Sequence, residues 1–398
     1  MAMTRRKALL SAGTMAGASL LPLTSESTSG AGQQSASANQ APTEPVSLVE
    51  FEPIARERIS HSAYEYISGG AGDELTLRWN REAFDRLRLR PRALVDVSRL
   101  DTRVKLFGQE LPFPILLAPT AYHRLVHPEG ELATVRGANA AEATMVISTA
   151  ATISVEEIAR ASTRPVWFQL YVQRDRGFTR EIVQRAEAAG CRALCVTADT
   201  PVIGTRNRES RLKFQLPPGL ETPNLKRPDQ ATTGSFHRTG EREIYTALLD
   251  PTLTWKDIDW LRSFARVPVL LKGILNPDDA DQAARAGVAG IIVSNHGARN
   301  LDTVPATVDA LPMIVDRVAG RMPILVDGGI RRGTDVLKAL ALGASAVLIG
   351  RPYLYGLAAA GAEGVARVVN ILRTEFETAM ALTGRTSVAS IERTVLWS

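Results

Sequence analysis

The chain has 398 residues, 45% hydrophobic and 22% charged, with a formal net charge of +5. That is the composition of a globular enzyme with ample core, and it excludes low-complexity and disordered classes. So mild a positive balance, with no basic patch interleaved with aromatics, gives no footing for a nucleic-acid-binding role.

The first residues do not read as core. Thr4-Arg5-Arg6-Lys7 is a basic run leading into Ala, Leu, Gly and Met residues up to Leu23, and a small-residue stretch containing Ala36-Ser37-Ala38 follows. Basic, then apolar, then small is the order of an export signal, and the paired arginines favour the twin-arginine route. Gly and Ser break the apolar part too often for a membrane span. Residues 1–38 are therefore read as the signal and residues 39–398 as one domain. Removing 1–38 takes away Arg5, Arg6, Lys7 and Glu26 and leaves a charge of +3.

From Pro45 to Arg90 the apolar spacing predicts an N-terminal helical extension: Ile54–Ile59, Ser62–Ile67 and Leu75–Phe84, interrupted by Gly69-Gly70-Ala71-Gly72. Val104–Gly108 reads as part of a small hairpin. Short apolar runs then recur at Ile115–Ala118, Met145–Ser148, Val166–Leu170, Ala193–Thr197, Val269–Lys272, Gly290–Ser294, Ile324–Asp327 and Ala346–Ile349. Amphipathic helical stretches lie between most of them, several ending at Gly190, Gly287 or Gly343 as a helix C-cap does. Eight such units predict an α/β fold, a closed (β/α)8 TIM barrel; periodicity alone leaves a doubly wound open sheet as the competing arrangement. A long polar insertion between Pro201 and Arg266 follows the fourth strand and reads as a lid loop over the barrel mouth. Cys191 and Cys195 would lie roughly 13 Å apart in an extended segment, too far to bridge. They form no metal-ligand cluster and are read as core residues.

Active sites of such barrels gather at the C-terminal strand ends. Those positions carry Thr120 and Ala121, Ser148, Gln169 with Tyr171, Thr197 with Asp199, Lys272, Ser294 with His296 and Arg299, Asp327 with Gly329, and Gly350 with Arg351. Packing does not explain charged or hydrogen-bonding residues after all eight runs. His296 beside Arg299 is what proton abstraction from a carboxylate-bearing substrate requires. Glycine-rich turns with Arg331 and Arg351 after the last two strands suit a phosphate.

Within Tyr66–Arg351 the chain resembles the FMN-dependent L-2-hydroxy acid oxidases and dehydrogenases, which include glycolate, lactate and mandelate oxidases. The matching motifs are Ala118-Pro-Thr-Ala121, His127-Pro-Glu-Gly-Glu131, Gln169-Leu-Tyr171, Thr197-Ala-Asp-Thr-Pro201, Lys272-Gly273, Ser294-Asn-His-Gly-Ala-Arg299, Asp327-Gly-Gly-Ile-Arg-Arg-Gly-Thr-Asp335 and Gly350-Arg-Pro352. The resemblance implies oxidation of the hydroxy acid to a 2-oxo acid, with electrons passing to oxygen or another carrier. It implies His296 as base, Asp199 as the carboxylate orienting it, and Arg206 and Arg299 on the substrate carboxylate. Tyr66 and Tyr171 would donate to the substrate, and Lys272 would place positive charge near flavin N1. Thr120, Ala121, Ser148, Gln169 and Thr197 would bind the isoalloxazine ring; Ser294, Asp327, Gly329, Arg331, Gly350 and Arg351 the ribityl chain and phosphate. A homotetramer is implied as well.

Substrate size is read from Ala150, where glycolate oxidases carry a bulky aromatic. With Tyr122, His123 and Ile203 it would line a pocket for an aromatic or medium-sized side chain. Alternatives stay open at this point. Tyr171 could pack under the rim, Asp199 could cap a turn, and Arg208 could replace Arg206. Lys272 could be the Schiff-base lysine of a phosphate-binding aldolase or isomerase barrel.

Overall fold

Each of the eight apolar runs forms a strand buried along nearly its whole length, as a sheet covered on both faces requires. The computed structural model describes residues 44–225, 244–246 and 249–397. The expected export signal and residues 226–243 of the expected lid lie outside the described residues.

Three helices come first: α1 (Phe51–Arg58), α2 (His61–Ser68) and α3 (Leu75–Arg86). An antiparallel hairpin of β1 (Val104–Leu106) and β2 (Gln109–Leu111) follows. The barrel strands are β3 (Ile115–Leu117), β4 (Thr144–Ser148), β5 (Trp167–Leu170), β6 (Leu194–Thr197), β7 (Val269–Ile274), β8 (Gly290–Val293), β9 (Ile324–Asp327) and β10 (Ala346–Ile349). All barrel pairs are parallel and β10 closes on β3, which excludes the open sheet. Between and after them run α4 (Gly130–Ala140), α5 (Val155–Ala161), α6 (Arg176–Ala188), α7 (Asn207–Arg211), α8 (Trp255–Phe264), α9 (Pro277–Arg285), α10 (Thr307–Val318), α11 (Gly333–Ala341) and α12 (Arg351–Leu382). The last is broken at Ala360 and Gly361.

Alternation along the strands sorts the core into two bodies. Leu116, Val146, Trp167, Cys195, Leu270, Ile292, Leu325 and Leu348, one from each strand, form the inner body. Their neighbours, such as Ile115, Met145, Phe168 and Ile291, join the larger body shared with the helices. The hairpin closes one end of the inner body: Phe107 meets Trp167 edge-on at 5.5 Å, and Trp167 Nε1 donates to Gln109 Oε1 at 3.1 Å. Polar positions are thereby left to the opposite end. Both cysteines are free, and burial pushes each thiol up to about 12, so they are inert core residues.

Two local features position the site. Asp302 accepts from the backbone N–H groups of Asp73, Leu75 and Thr76 at 3.0, 3.2 and 2.8 Å. That carboxylate satisfies the start of α3 and ties the N-terminal helices to the segment after β8. In β7 the register slips between Lys272 and Ile274, with Gly273 at φ +105°. A Cβ at Gly273 would collide with the Asp199 side chain, so glycine is what lets that carboxylate come in.

Candidate active site

The strand tips surround a cavity holding about 1270 Å³ of space, open solvent at its mouth included. Its wall contains Tyr66, Thr120, Ala121, Ser148, Ala150, Gln169, Tyr171, Thr197, Arg206, Lys272, His296, Arg299, Asp327, Gly329, Arg331, Gly350 and Arg351. Seventeen of the nineteen site residues expected from sequence therefore share one wall, with Tyr122 and Ile203 beside them.

His296 stands in a left-handed turn, φ 58°, followed by Gly297 at 61° and Ala298 at 62°. Two non-glycine residues in that region cost about 1–2 kcal/mol each, strain of the kind that collects at functional turns. The turn is held by Asn295, whose Oδ1 accepts from the Ala298 N–H at 3.0 Å and from Asn80 Nδ2 at 3.0 Å. His296 Nδ1 lies 3.0 Å from Asp199 Oδ1, so Asp199 is a partner of the imidazole rather than a turn cap. Nε2 lies 3.3 Å from the Tyr171 hydroxyl. Burial, ahead of the opposing pull of Asp199, holds the imidazole below its ordinary range. Burial resists the Asp199 charge, but His296 and Lys272 outweigh it and keep the carboxyl below its usual value. Burial raises the phenols of Tyr66 and Tyr171, so both remain hydrogen-bond donors.

Arg206 and Arg299 both reach the cavity, and Arg206 Nε donates to the Arg299 carbonyl at 3.2 Å. Arg299 lies over the Tyr66 ring, 4.8 Å from its centroid, and the same ring stacks on Phe214 at 4.7 Å. Arg208 is off the wall, paired with Glu65 and Glu74, so of these two arginines Arg206 is the one that reaches the cavity.

Lys272 Nζ sits 3.0 Å from Asp327 Oδ2 and donates to Ser294 Oγ at 2.8 Å. Burial works against its charge, yet Asp327 and Asp199 prevail and hold the ammonium above its usual range. A Schiff-base lysine needs the neutral amine, so the aldolase reading is not favoured.

Ser294 and Asp199 are the two expected site residues off the wall; the Ser294 hydroxyl accepts from Lys272 Nζ at 2.8 Å and from the His296 N–H at 3.1 Å. One expectation is corrected: His123 does not line the pocket. Tyr122 adopts φ 59°, which turns His123 inward, where its ring bonds Thr120 at 2.7 Å and Thr134 at 2.9 Å. Three contributors were not foreseen. Thr200 donates to Asp199 Oδ1 at 3.0 Å, Asn300 donates to Thr200 at 2.7 Å and to the Asp199 carbonyl at 2.8 Å, and Leu249 reaches the wall from the insertion. The polar Thr200 next to Asp199 and Asn300 next to Arg299 were the available signals.

The wall suits FMN at both ends. Arg331 and Arg351 are cations whose charge burial disfavours, Arg351 being pushed down to about 10; an anion between them relieves that cost. Toward His296 the buried Ser148, Gln169, Thr197 and Lys272 present hydroxyl, amide and ammonium groups, and Asp327 Oδ1 is a buried oxygen without a hydrogen-bond partner among the described residues. A phosphate at one end and a polar-edged ring at the other match this donor set.

Residues 55–398 match the model of the FMN-dependent dehydrogenase family. The chain is 48% identical over 363 residues to an L-lactate oxidase of Nostoc sp., covering 88% of this chain and 98% of that one. It is 46% identical over 351 residues to glycolate oxidase 1 of Oryza sativa subsp. japonica, covering 88% and 95%. Among solved structures, mandelate oxidase with benzoyl-formic acid superposes with a TM-score of 0.81 at 40% identity, covering 89% of this chain and 98% of that one. Sequence, barrel and cavity agree: the chain belongs to the FMN-dependent dehydrogenase family, and it is an FMN enzyme that oxidises 2-hydroxy acids.

Proposed function

We propose that the substrate is an L-2-hydroxy acid with an aromatic or medium-sized apolar side chain, and that His296 takes its proton. The observation that carries this is a buried apolar cluster of Tyr122, Ala150 and Leu225 with Leu216 and Leu220 against it, beside the His296–Arg206–Arg299 constellation. A methyl group where a ring could stand leaves room for a substrate side chain, and desolvating that side chain stabilises binding by about 25 cal/mol per Å² buried.

Bound FMN supplies the two-electron acceptor. The chain's own groups do the rest. Arg206 and Arg299 hold the substrate carboxylate with planar forks. Tyr66 and Tyr171 donate to its oxygens. Asp199 keeps a proton on Nδ1, so Nε2 offers its lone pair, and the carboxylate then stabilises the imidazolium. Lys272 keeps a fixed positive charge at the strand tip. Gln169 and Thr197, joined by a 2.9 Å hydrogen bond, and Ser148 beside them would hold the ring edge, and Arg331 and Arg351 the phosphate.

Anaerobic mixing of the purified enzyme with (S)-mandelate, L-lactate and glycolate tests the substrate assignment. Bleaching of the flavin is expected to be fastest with mandelate and slowest with glycolate; the reverse order rejects it. Oxygen is proposed as the electron acceptor, with support from relatives named as oxidases. Faster reoxidation by an artificial carrier than by air would reject that. Export rests on Arg5 and Arg6 before the apolar run; a mature protein that still begins at Met1 rules it out. A homotetramer is proposed from the resemblance, and light scattering measures it.

A further inference from the structure

The carboxylate-binding arginines are not independent. Glu209, on the turn of α7 that begins beside Arg206, makes ion pairs with both: Arg206 Nη1 at 3.3 Å and Arg299 Nη2 at 2.8 Å. The three side chains are 14, 14 and 15% exposed in the order Arg206, Arg299, Glu209. Both arginines line the cavity, whereas Glu209 does not. Its carboxylate therefore pairs with both guanidinium groups from off the cavity wall. The rest of the grip is backbone: Arg299 Nη1 donates to the carbonyls of Tyr66 and Gly69 at 2.6 and 2.9 Å, and Arg206 Nε to the Arg299 carbonyl.

Two like charges brought together in a poorly hydrated pocket repel, and the shared anion offsets that repulsion. One carboxylate between two guanidinium groups leaves the pair with a single positive charge to satisfy. That is the charge of one substrate carboxylate. We infer that Glu209 is a positioning residue that aligns Arg206 and Arg299 and restricts their surplus charge to a single anion in a single orientation. This rests on the assignment of the two arginines to the substrate carboxylate.

Removing the Glu209 charge has two separable effects. Uncompensated cations draw any anion more strongly, while the guanidinium planes lose the clamp that sets their angle. The test uses the FMN-loaded enzyme and the Glu209→Gln and Glu209→Asp variants, with two unreactive probes of nearly the same shape, the anion phenylacetate and the neutral amide phenylacetamide. Dissociation constants come from the flavin spectrum, and flavin reduction by mandelate is followed separately. In Glu209→Gln, phenylacetate is expected to bind about threefold or more tightly while phenylacetamide stays within about twofold, because only the anion senses the charge. Mandelate reduces the flavin about tenfold or more slowly in the same variant, because tighter binding in a wrong orientation does not aid the reaction. Glu209→Asp restores the wild-type ratio of the two constants. A ratio within about twofold of wild type in Glu209→Gln overturns the inference, since a merely structural defect moves both probes together. Weaker binding of phenylacetate alone also overturns it. A wild-type enzyme that binds phenylacetate no better than phenylacetamide instead removes the carboxylate-site assignment on which the inference stands.

Discussion

Asp199 and His296 meet through Oδ1 and Nδ1 at 3.0 Å, across a strand tip that only glycine at position 273 leaves open. The bond decides which imidazole nitrogen faces the cavity. Asp199→Asn keeps the shape but removes the charge that stabilises the imidazolium. Flavin reduction is expected to slow by about 10²–10⁴-fold, with FMN still bound, and His296→Ala to lose a similar factor. Stopped-flow reduction with a flavin-content check measures both; near-normal reduction in His296→Ala means the base lies elsewhere.

The acid limb of kcat/KM follows from the same burial. His296 titrates below the ordinary imidazole value of about 6.5, so the neutral, proton-accepting form persists to lower pH than free imidazole allows. Activity is lost as pH falls through that lowered value, not at the free one. Asp199 raises the imidazole pKa, so Asp199→Asn moves the limb further toward acid. A kcat/KM profile in overlapping buffers checks the sign, and an acid limb above the free-imidazole value contradicts it.

Ala150 is 2% exposed and packs with Tyr122 and Leu225. Ala150→Phe puts a ring where the substrate side chain is proposed to fit. The ratio of kcat/KM for mandelate over glycolate should fall by about 10–100-fold, the discrimination a steric change of a few kcal/mol provides. Steady-state oxidation of the two acids measures it.

Arg331 is the cleaner to remove of the two cations proposed for the phosphate, because Arg351 also holds three backbone carbonyls in place. Arg331→Met is expected to weaken FMN binding by about 10–150-fold, the value of one charged hydrogen-bonding group. Titration of the apoprotein with FMN, read by fluorescence quenching, tests this. Dissociation of phenylacetate from the reloaded enzyme should be unchanged.

The covered parallel sheet was legible because its signal is redundant: eight buried runs, each with a polar or charged residue within two positions of its end, alternate with amphipathic helices. The closing pair β10–β3 joins the two ends of the series, and periodicity along the chain is blind to it. His296, Arg299 and Lys272 were legible because charge at a buried strand tip has no packing explanation. The miss at His123 arose where direction mattered more than residue type: it follows a left-handed Tyr122, and its ring is buried against Thr120 and Thr134. Glu209 lies three residues after Arg206, the spacing of neighbours on one helical turn, but the partner that gives it significance, Arg299, lies 90 positions along the chain. Long-range ion pairs of that kind leave no local pattern.

One backbone oxygen belongs to both halves of the site. The Gly69 carbonyl accepts from Arg299 Nη1 at 2.9 Å and from Arg351 Nη2 at 2.7 Å, so the cations proposed for the substrate carboxylate and for the phosphate pull on the same peptide. A shift at either cation is felt at the other through that one peptide. Occupancy of the nucleotide end should therefore stiffen the acid-binding end before any acid arrives, and amide exchange across residues 66–72 should slow when the apoprotein takes up its cofactor.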